Sequence, residues 1–367
     1  MIERGLILSG SFGKGHDVVG EACAAALSTR GVHTQMVDSI TLMGARSATV
    51  GDRVFRTLLA VPPLYDAFHF TQLRGDGPVG RRFERLALDR LYPAVRDAVE
   101  REQAGLVVSV FATGAGAAAR LKRQERPDLA TVVVMTDSYA HLMWVHEGTD
   151  LFLVTSDLAA ASIRRYQPHA RVRVMTGPPV RPQFHHVPDR EEARRTLGVP
   201  TEARCALLMS GAWGIGPLDG AAAALADRGC WVLAVAGSNV GLADRLAALA
   251  HTRPSVIPFG FTDRIPELMA ASDVVVTSSG DTCREARVVG RGIVLLDVVP
   301  GHGRENLMHE LELGGAAVAR SSAEGVRDAV VAFLDAGAGR DIRPQPAEGW
   351  TAELIGALTE AGIVAGA

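Results

Sequence analysis

The sequence predicts an α/β chain built as two doubly wound domains, each with a parallel sheet. Three observations carry this. Short runs of Val, Leu and Ile recur that are near-continuous rather than alternating, the pattern of parallel strands buried on both faces. They alternate with helical segments in two successive series. Between the series lies TGPPVRPQFHHVP, residues 176–188, with four prolines and no regular pattern. A length of 367 residues, at roughly 150 per domain, agrees with two domains.

In order, the first series places strands at 5–9 (GLILS), 33–37, 106–110 (LVVSV), 131–136 (TVVVMT), 151–155 (LFLVT) and 172–175. The second places them at 205–209 (CALLM), 231–235 (WVLAV), 255–258, 273–277 (DVVVT), 293–296 (IVLL) and 316–318. The expected division is a first domain over 1–178, a linker over 179–188 that opens no regular element, and a second domain over 189–348. A helix should start near Asp189, in DREEARRTLGV, with acids in its first turn. The last segment, 349–367, contains WTAELIGALTEAGI and reads as an amphipathic helix. Ligands of open parallel sheets bind beyond the carboxyl ends of the strands. Two such sheets facing each other would form a cleft, so the residues at those ends are the informative ones.

Composition narrows the classes. The chain is 47% hydrophobic and 22% charged, which suits a globular protein with a substantial core. A net charge of −3 argues against a strong global pull toward nucleic acid. The four cysteines, at 23, 205, 230 and 283, form no CxxC pair and no zinc spacing, so a reducing compartment is expected. MIERGLILSG has too short an apolar run for a signal peptide, and no segment approaches 18 consecutive apolar residues.

The stretch LILSGSFGKGHDVVGEACAAAL, residues 6–27, runs from a strand through Gly10, Gly13 and Gly15 to His16 and a helix. Three readings compete. A dinucleotide fingerprint needs G-x-G-x-x-G, and this order does not match, although Asp38 sits where a ribose-binding acid would. A P-loop needs Gly-Lys-Ser/Thr, which GKGH fails. The third is a glycosyltransferase loop, whose glycines let the backbone approach a ligand while the histidine faces the cleft. His16 would open the helix, where the N-terminal partial charge disfavours imidazolium. A neutral imidazole there suits a general base; the alternative is a histidine that only hydrogen-bonds its loop.

GSFGKGHDVVGEA resembles the first motif of family 28 glycosyltransferases, in the branch of processive diacylglycerol glucosyltransferases and monogalactosyldiacylglycerol synthases. The lipid II-forming N-acetylglucosaminyltransferase of peptidoglycan synthesis is a more distant relative. TDSYAHLMWVHEGTDLFLVTSD, 136–157, resembles the family's T-D-x-x-x-H-x-x-W segment at Asp137, His141 and Trp144. TGPPVRPQF resembles G-x-P-x-R-x-x-F at Gly177, Pro179, Arg181 and Phe184. LLMSGAWGIGPL, GSNVGL, GFTDRIPELMAASDVVVTSSGDTCREA and PGHGRENL follow in the family's order. The resemblance implies a GT-B fold, with the acceptor on the first domain and a UDP-sugar on the second. It puts Gly13, Gly15, His141, Trp144 and Arg181 on the acceptor side. His16 is then the catalytic base, and Asp137 is a second candidate base or an orienting group.

In the second domain, Ser210, Gly211, Ala212, Gly214 and Gly216 form a small-residue turn with room for a diphosphate against backbone N–H groups. A tight structural turn is the alternative, and Ser210, Ala212 and Trp213 depart from the family's glycines. Gly260 and Phe261 stand at a strand end, where the resemblance places the nucleobase. Ser278, Ser279, Gly280 and Thr282 suit phosphate at a helix entrance. Glu285, expected in that helix's first turn, would take the ribose hydroxyls or would simply favour the dipole. Asp281 puts an unhelpful charge near a diphosphate. The loop with Gly301, His302, Arg304, Glu305 and Asn306 is implied to surround the donor sugar and phosphate, with Arg304 neutralising charge.

Residues 54–73 are rich in apolar and aromatic side chains, and Arg74, Arg81, Arg82, Arg85 and Arg90 follow, interleaved with Asp76, Glu84 and Asp89. Peripheral membrane contact through 54–90 is one reading; helices packed on the domain with solvated charges is the other. FATGAG, 111–116, stands where lipid-type relatives carry a histidine-proline element, so the acceptor pocket is expected to differ. The sequence-based expectation is an inverting, UDP-sugar-dependent hexosyltransferase acting on a lipid or other hydroxylated acceptor, with no cofactor, no metal and no nucleic-acid partner. Its expected place is cytoplasmic, peripheral on the inner face of the cell membrane. The rivals are a UDP-sugar 2-epimerase on the same scaffold and a non-catalytic module that binds sugar nucleotide or lipid. Donor sugar, acceptor and linkage are not legible.

Overall fold

The computed structural model describes residues 2–10, 15–44, 61–176, 179–211, 214–337 and 349–365. The chain forms two compact units. One takes Met1–Arg181, Pro300–His302 and Glu348–Ala367; the other takes Pro182–Val299 and Gly303–Ala347.

The first unit holds six strands: β1 (Arg4–Ser9), β2 (His33–Asp38), β3 (Leu106–Ser109), β4 (Ala130–Val134), β5 (Leu151–Val154) and β6 (Val172–Val174). All pairings are parallel, in the order β2-β1-β3-β4-β5-β6, with Leu8 in register with Val37 on one side and Ser109 on the other. Helices cover both faces: α1 (Gly15–Ser28), α2 (Ser39–Leu42), α3 (Pro62–Phe68), α4 (Pro78–Glu102), α5 (Ala112–Gln124) and α6 (Asp157–Tyr166). A π-helical turn, His69–Leu73, joins α3 toward α4. The two-residue period of β1 sorts its side chains between the faces. Ile7 packs with Val19, Cys23 and Leu27 of α1, whereas Leu6 and Leu8 pack with Leu91 and Val95 of α4 and Leu121 of α5. Gly349–Glu360, the chain's last helix, adds Trp350, Leu354 and Leu358 to the α1 side.

The second unit holds β7 (Cys205–Leu208), β8 (Trp231–Val235), β9 (Val256–Phe259), β10 (Val274–Ser278), β11 (Gly292–Leu296) and β12 (Ala316–Ala319). They are parallel, in the order β12-β11-β10-β7-β8-β9. Its helices are α7 (Arg190–Leu197), α8 (Leu218–Ala226), α9 (Val240–Thr252), α10 (Ile265–Ala271), α11 (Asp281–Val289), α12 (His302–Glu312) and α13 (Ala323–Asp335); the last helix of the chain, Gly349–Glu360, is α14. Asp189 caps α7 by accepting from Glu192 N–H at 2.8 Å. The fully buried Arg194 donates to the carbonyls of Ala203 and Ala271, 2.9 Å each, and to Asp273 at 3.0 Å, which satisfies its charge.

Strand limits differ from the sequence reading by one or two residues. The linker is a correction: Pro182–Phe184 forms a 3-10 turn, anchored by the buried Phe184. All four cysteines are free and buried, and burial pushes the Cys23 and Cys205 thiols up to about 12. Among the described residues no helix is long and apolar enough to cross a membrane.

Candidate active site

In each sheet the chain leaves the first strand to one side and later returns to its other side, which creates a switch point at the strands' carboxyl ends. In the first unit that point lies between β1 and β3. His16, the second residue of α1, bridges it: its Nδ1 is 3.0 Å from the Val110 carbonyl oxygen. A carbonyl only accepts, so Nδ1 carries a proton, and in the neutral ring the lone pair is on Nε2. Thr136 Oγ1 stands 3.3 Å from the same nitrogen, and the Phe111 ring meets the imidazole edge-on, centroids 4.8 Å apart. Gly10 is required there, because a Cβ would fall 2.4 Å from the Phe111 ring. Asp17, in the first turn of α1, accepts from Ser9 Oγ at 2.7 Å and ties the helix start to β1.

Asp137 follows β4 and its neighbour Thr136. Its Oδ2 accepts from Trp144 Nε1 at 2.8 Å and lies 3.6 Å from His141 Nε2. His141 Nδ1 accepts from Met143 N–H, so its proton sits on Nε2, toward Asp137. Burial pushes the Asp137 carboxyl up, but the bonds from His141 and Trp144 and the neighbouring His302 outweigh it and hold the group well below the usual carboxylate range. A carboxylate held that low is a poor proton acceptor and a good fixed charge.

The same unit gathers more. Tyr65 OH is 3.0 Å from His302 Nδ1, and the buried His69 ring lies 6.0 Å from His141 and 6.2 Å from His302. Gly301, at φ +62°, donates its N–H to Asp66 Oδ1 at 2.6 Å, and a Cβ there would fall 2.5 Å from the Tyr65 ring. Burial pushes the His302 imidazole down. Of the acceptor-side residues, Gly15 opens α1, His141 and Trp144 are buried beside Asp137, and Arg181 ends the unit half-buried. Gly13 and residues 54–60 lie outside the described residues, as do Gly177, Ala212 and Trp213.

The remainder of 54–90 is two-sided. Tyr65, His69 and Leu73 point inward, while Leu64, Phe70, Val79, Phe83 and Leu86 are exposed among Arg81, Arg82, Arg85 and Arg90. Arg74 is inward too: it donates to the Ala140 carbonyl at 2.9 Å and sits over the Tyr139 ring.

In the second unit the switch point lies between β7 and β10. Ser210 and Gly211 follow β7; Gly211 has φ +59° and Gly214 φ +56°. A Cβ on Gly214 would meet the Ala236 carbonyl oxygen at 2.7 Å, so glycine is needed there on both counts. After β10, Ser279 donates to the Gly303 carbonyl, 2.5 Å, and Gly280 leads into α11 with extended backbone and open space where a Cβ would stand. Thr282 is half-buried in the first turn. Glu285 is buried but belongs to the second turn, since α11 starts at Asp281; the expected first-turn placement is corrected. Asp281 is neutralised by Arg284 at 3.0 Å. Gly260 and the 71%-exposed Phe261 extend from β9. Arg304 reaches Asp297 at 3.3 Å, and Glu305 and Asn306 lie half-buried in the first turns of α12.

Residues 16–180 match the family model of monogalactosyldiacylglycerol (MGDG) synthase. That span carries His16, Asp137, His141 and Trp144. The chain is 30% identical over 210 residues to a processive diacylglycerol β-glucosyltransferase of Bacillus pumilus, covering 56% of this chain and 55% of that protein. It thus spans about half the length of that relative. A protein of the same name from Bacillus subtilis is 26% identical over 276 residues, 70% of this chain and 72% of its own. A probable chloroplastic MGDG synthase of Glycine max is 30% identical over 203 residues, 52% and 38% of the two chains. The resemblance to diacylglycerol glucosyltransferases and MGDG synthases therefore stands. Among solved structures, Acinetobacter baumannii MurG matches with TM-score 0.59 at 11% identity, covering 97% of this chain and 99% of its own. The UDP-GlcNAc 2-epimerase of Neisseria meningitidis matches with 0.61 at 12%, covering 97% and 100%. At such identities the likeness shows the fold: GT-B, two Rossmann-like units in one chain.

Sequence reasoning missed Phe111, Thr136 and Tyr65. Phe111 had a signal, as the first residue past the strand that flanks the switch point. Tyr65 had none, because its partner His302 is 237 positions away.

Proposed function

We propose that this protein is an inverting glycosyltransferase that moves a hexosyl group from a UDP-sugar to a lipid hydroxyl, with a diacylglycerol-like acceptor. The observation that carries the reading is His16: a backbone carbonyl holds its Nδ1 proton and leaves Nε2 as base at the switch point. The names of the relatives, matched over more than half the chain, favour transfer over the epimerisation named for one fold neighbour.

In the proposed step the acceptor oxygen attacks the anomeric carbon as Nε2 takes its proton. The bond from that carbon to the diphosphate oxygen breaks, UDP leaves with the electron pair, and His16 later returns its proton to solvent. The ionised Asp137 stabilises charge and holds His141 and Trp144 in place. The second unit takes the nucleotide: the N–H groups of Gly211 and Gly214 and the start of α11 receive the diphosphate, and Glu285 accepts from the ribose. No cofactor or metal is part of the scheme. The face bearing Phe83, Leu86, Arg82 and Arg85 supports peripheral docking on an anionic leaflet, the inner face of the cell membrane.

The test is UDP release by purified protein from UDP-glucose, UDP-galactose and UDP-N-acetylglucosamine, with and without diacylglycerol in vesicles. Lipid-dependent release supports the reading. Conversion of the sugar nucleotide without acceptor would replace it by the epimerase, and UDP-sugar binding without turnover by the non-catalytic module.

A further inference from the structure

His146 takes no part in the step above, yet it links two regions that do. Its Nε2 donates to the Met143 carbonyl at 2.9 Å, so the proton of the neutral ring sits on Nε2 and Nδ1 is an acceptor. Nδ1 faces Glu84 Oε1 of α4 at 3.5 Å, and both side chains are largely buried. Met143 precedes Trp144, whose indole holds Asp137. The fit is built: Gly116 of α5, in the unusual FATGAG segment, has no room for a Cβ, which would lie 2.8 Å from His146 Nε2. On α4, Glu84 turns inward, while its chain neighbours Phe83 and Arg85 lie on the exposed apolar and basic face.

We propose that His146 is a positioning residue: a strut through which the lipid-facing helix α4 holds the Met143–Trp144 turn, and with it the Asp137 carboxylate, closed only while the Glu84–His146 pair keeps its proton. This rests on the proposed reading that α4 meets lipid and Asp137 serves the reaction. Burial, with Asp76 adding to it, pushes the Glu84 carboxyl up to about 7, and burial pushes the His146 imidazole down to about 4. Between those values the proton lies on Glu84, whose carboxyl faces the Nδ1 lone pair at 3.5 Å. Above them a carboxylate faces a lone pair, and the contact opens.

The charged surroundings are accounted for. Arg81 and Arg85 on α4 oppose the rise of Glu84, and His141 opposes protonation of His146. Arg120 of α5 is engaged by Asp89, and Arg123 by Glu147. Protons are enriched at an anionic leaflet. A surface near −30 mV moves the midpoint upward by about half a pH unit, so docking itself keeps the strut closed at neutral pH.

The experiment compares wild type, Glu84→Gln and His146→Asn in UDP release from UDP-glucose across the neutral range. The vesicles are phosphatidylcholine with diacylglycerol, with or without phosphatidylglycerol. Wild-type kcat should fall on the alkaline side near neutrality, at a higher pH when phosphatidylglycerol is present. Glu84→Gln, whose amide always donates to Nδ1, should lack that limb. His146→Asn should lose about tenfold in kcat while vesicle binding and donor KM hold. Identical limbs in wild type and Glu84→Gln, or wild-type kcat in His146→Asn, overturn the proposal. Ring ¹⁵N shifts of His146 decide it separately: Nδ1 should titrate near neutrality in wild type and not in Glu84→Gln, and a static Nδ1 sinks the shared proton. A wild type silent on every acceptor sinks the function reading instead.

Discussion

The two switch points occupy the same topological place and carry opposite contents. That of the first unit is lined by groups that hold or move protons: His16, Thr136, Asp137 and His141, braced by the aromatic rings of Phe111 and Trp144. That of the second is lined by backbone and hydroxyls: Gly211, Gly214, Ser279, Gly280 and the start of α11. The contrast teaches a division of labour. In the proposed reading, fixed dipoles take the diphosphate without titrating, while directional side chains handle the acceptor proton. Two parallel six-stranded sheets that differ in strand order thus carry, in the proposed reading, one binding end and one reacting end.

If the division is real, the two ends break differently. His16→Ala should cut turnover by roughly 100-fold or more and leave UDP binding intact in calorimetry; loss of UDP binding would collapse the distinction. Gly214→Ala should do the reverse. Its Cβ meets the Ala236 carbonyl oxygen at a positive φ, so the backbone at Gly214 must shift, and UDP affinity should fall by tenfold or more, about 1.4 kcal/mol. Glu285→Gln should raise the donor KM several-fold, up to about tenfold, with kcat little changed; steady-state kinetics in varied UDP-sugar checks it. Gly10→Ala should push the Phe111 ring against His16 and lower kcat a few-fold at unchanged donor KM.

The smallest effect concerns pH and stability. A raised Glu84 alone would cost stability as pH climbs from the usual 4.5 to about 7. A lowered His146 alone would lose stability as pH falls from 6.5 to about 4. Between about 4.5 and 6.5 the slopes cancel, since folded and unfolded states each keep one proton on the pair. Denaturant titration should therefore show Glu84→Gln changing the pH dependence of stability, with the wild-type pair flat across that window. A wild-type pair with a steep slope there would contradict it.

Much of this was legible in the sequence for a physical reason. The central strands are buried along their whole length, as in LVVS, LFLV, CALL and GIVLL, and so read as continuous apolar runs; edge strands such as HTQMVD and VRV are partly exposed and were legible only from their place in the alternating series. His16 was legible because a glycine turn entering a helix is a local pattern. What escaped reading is non-local. The reach of Tyr65 to His302, the edge of Phe111 on His16, and the Glu84–His146 pair join residues far apart in the chain. Glu285 falls one residue beyond the expected first turn, because a helix start of small polar residues has no sharp boundary in sequence.

The route of the chain has a consequence for its synthesis. Trp350, Leu354 and Leu358 of α14 complete the apolar layer under α1, the helix that begins with Gly15 and His16. The ribosome makes them after the whole of the second unit. Residues 182–299 and 303–337 can be closing their own core while the α1 side of the other unit still lacks Trp350, Leu354 and Leu358. The unit that holds α1 is thus completed after the unit that follows it in sequence, with part of its apolar layer uncovered until α14 emerges.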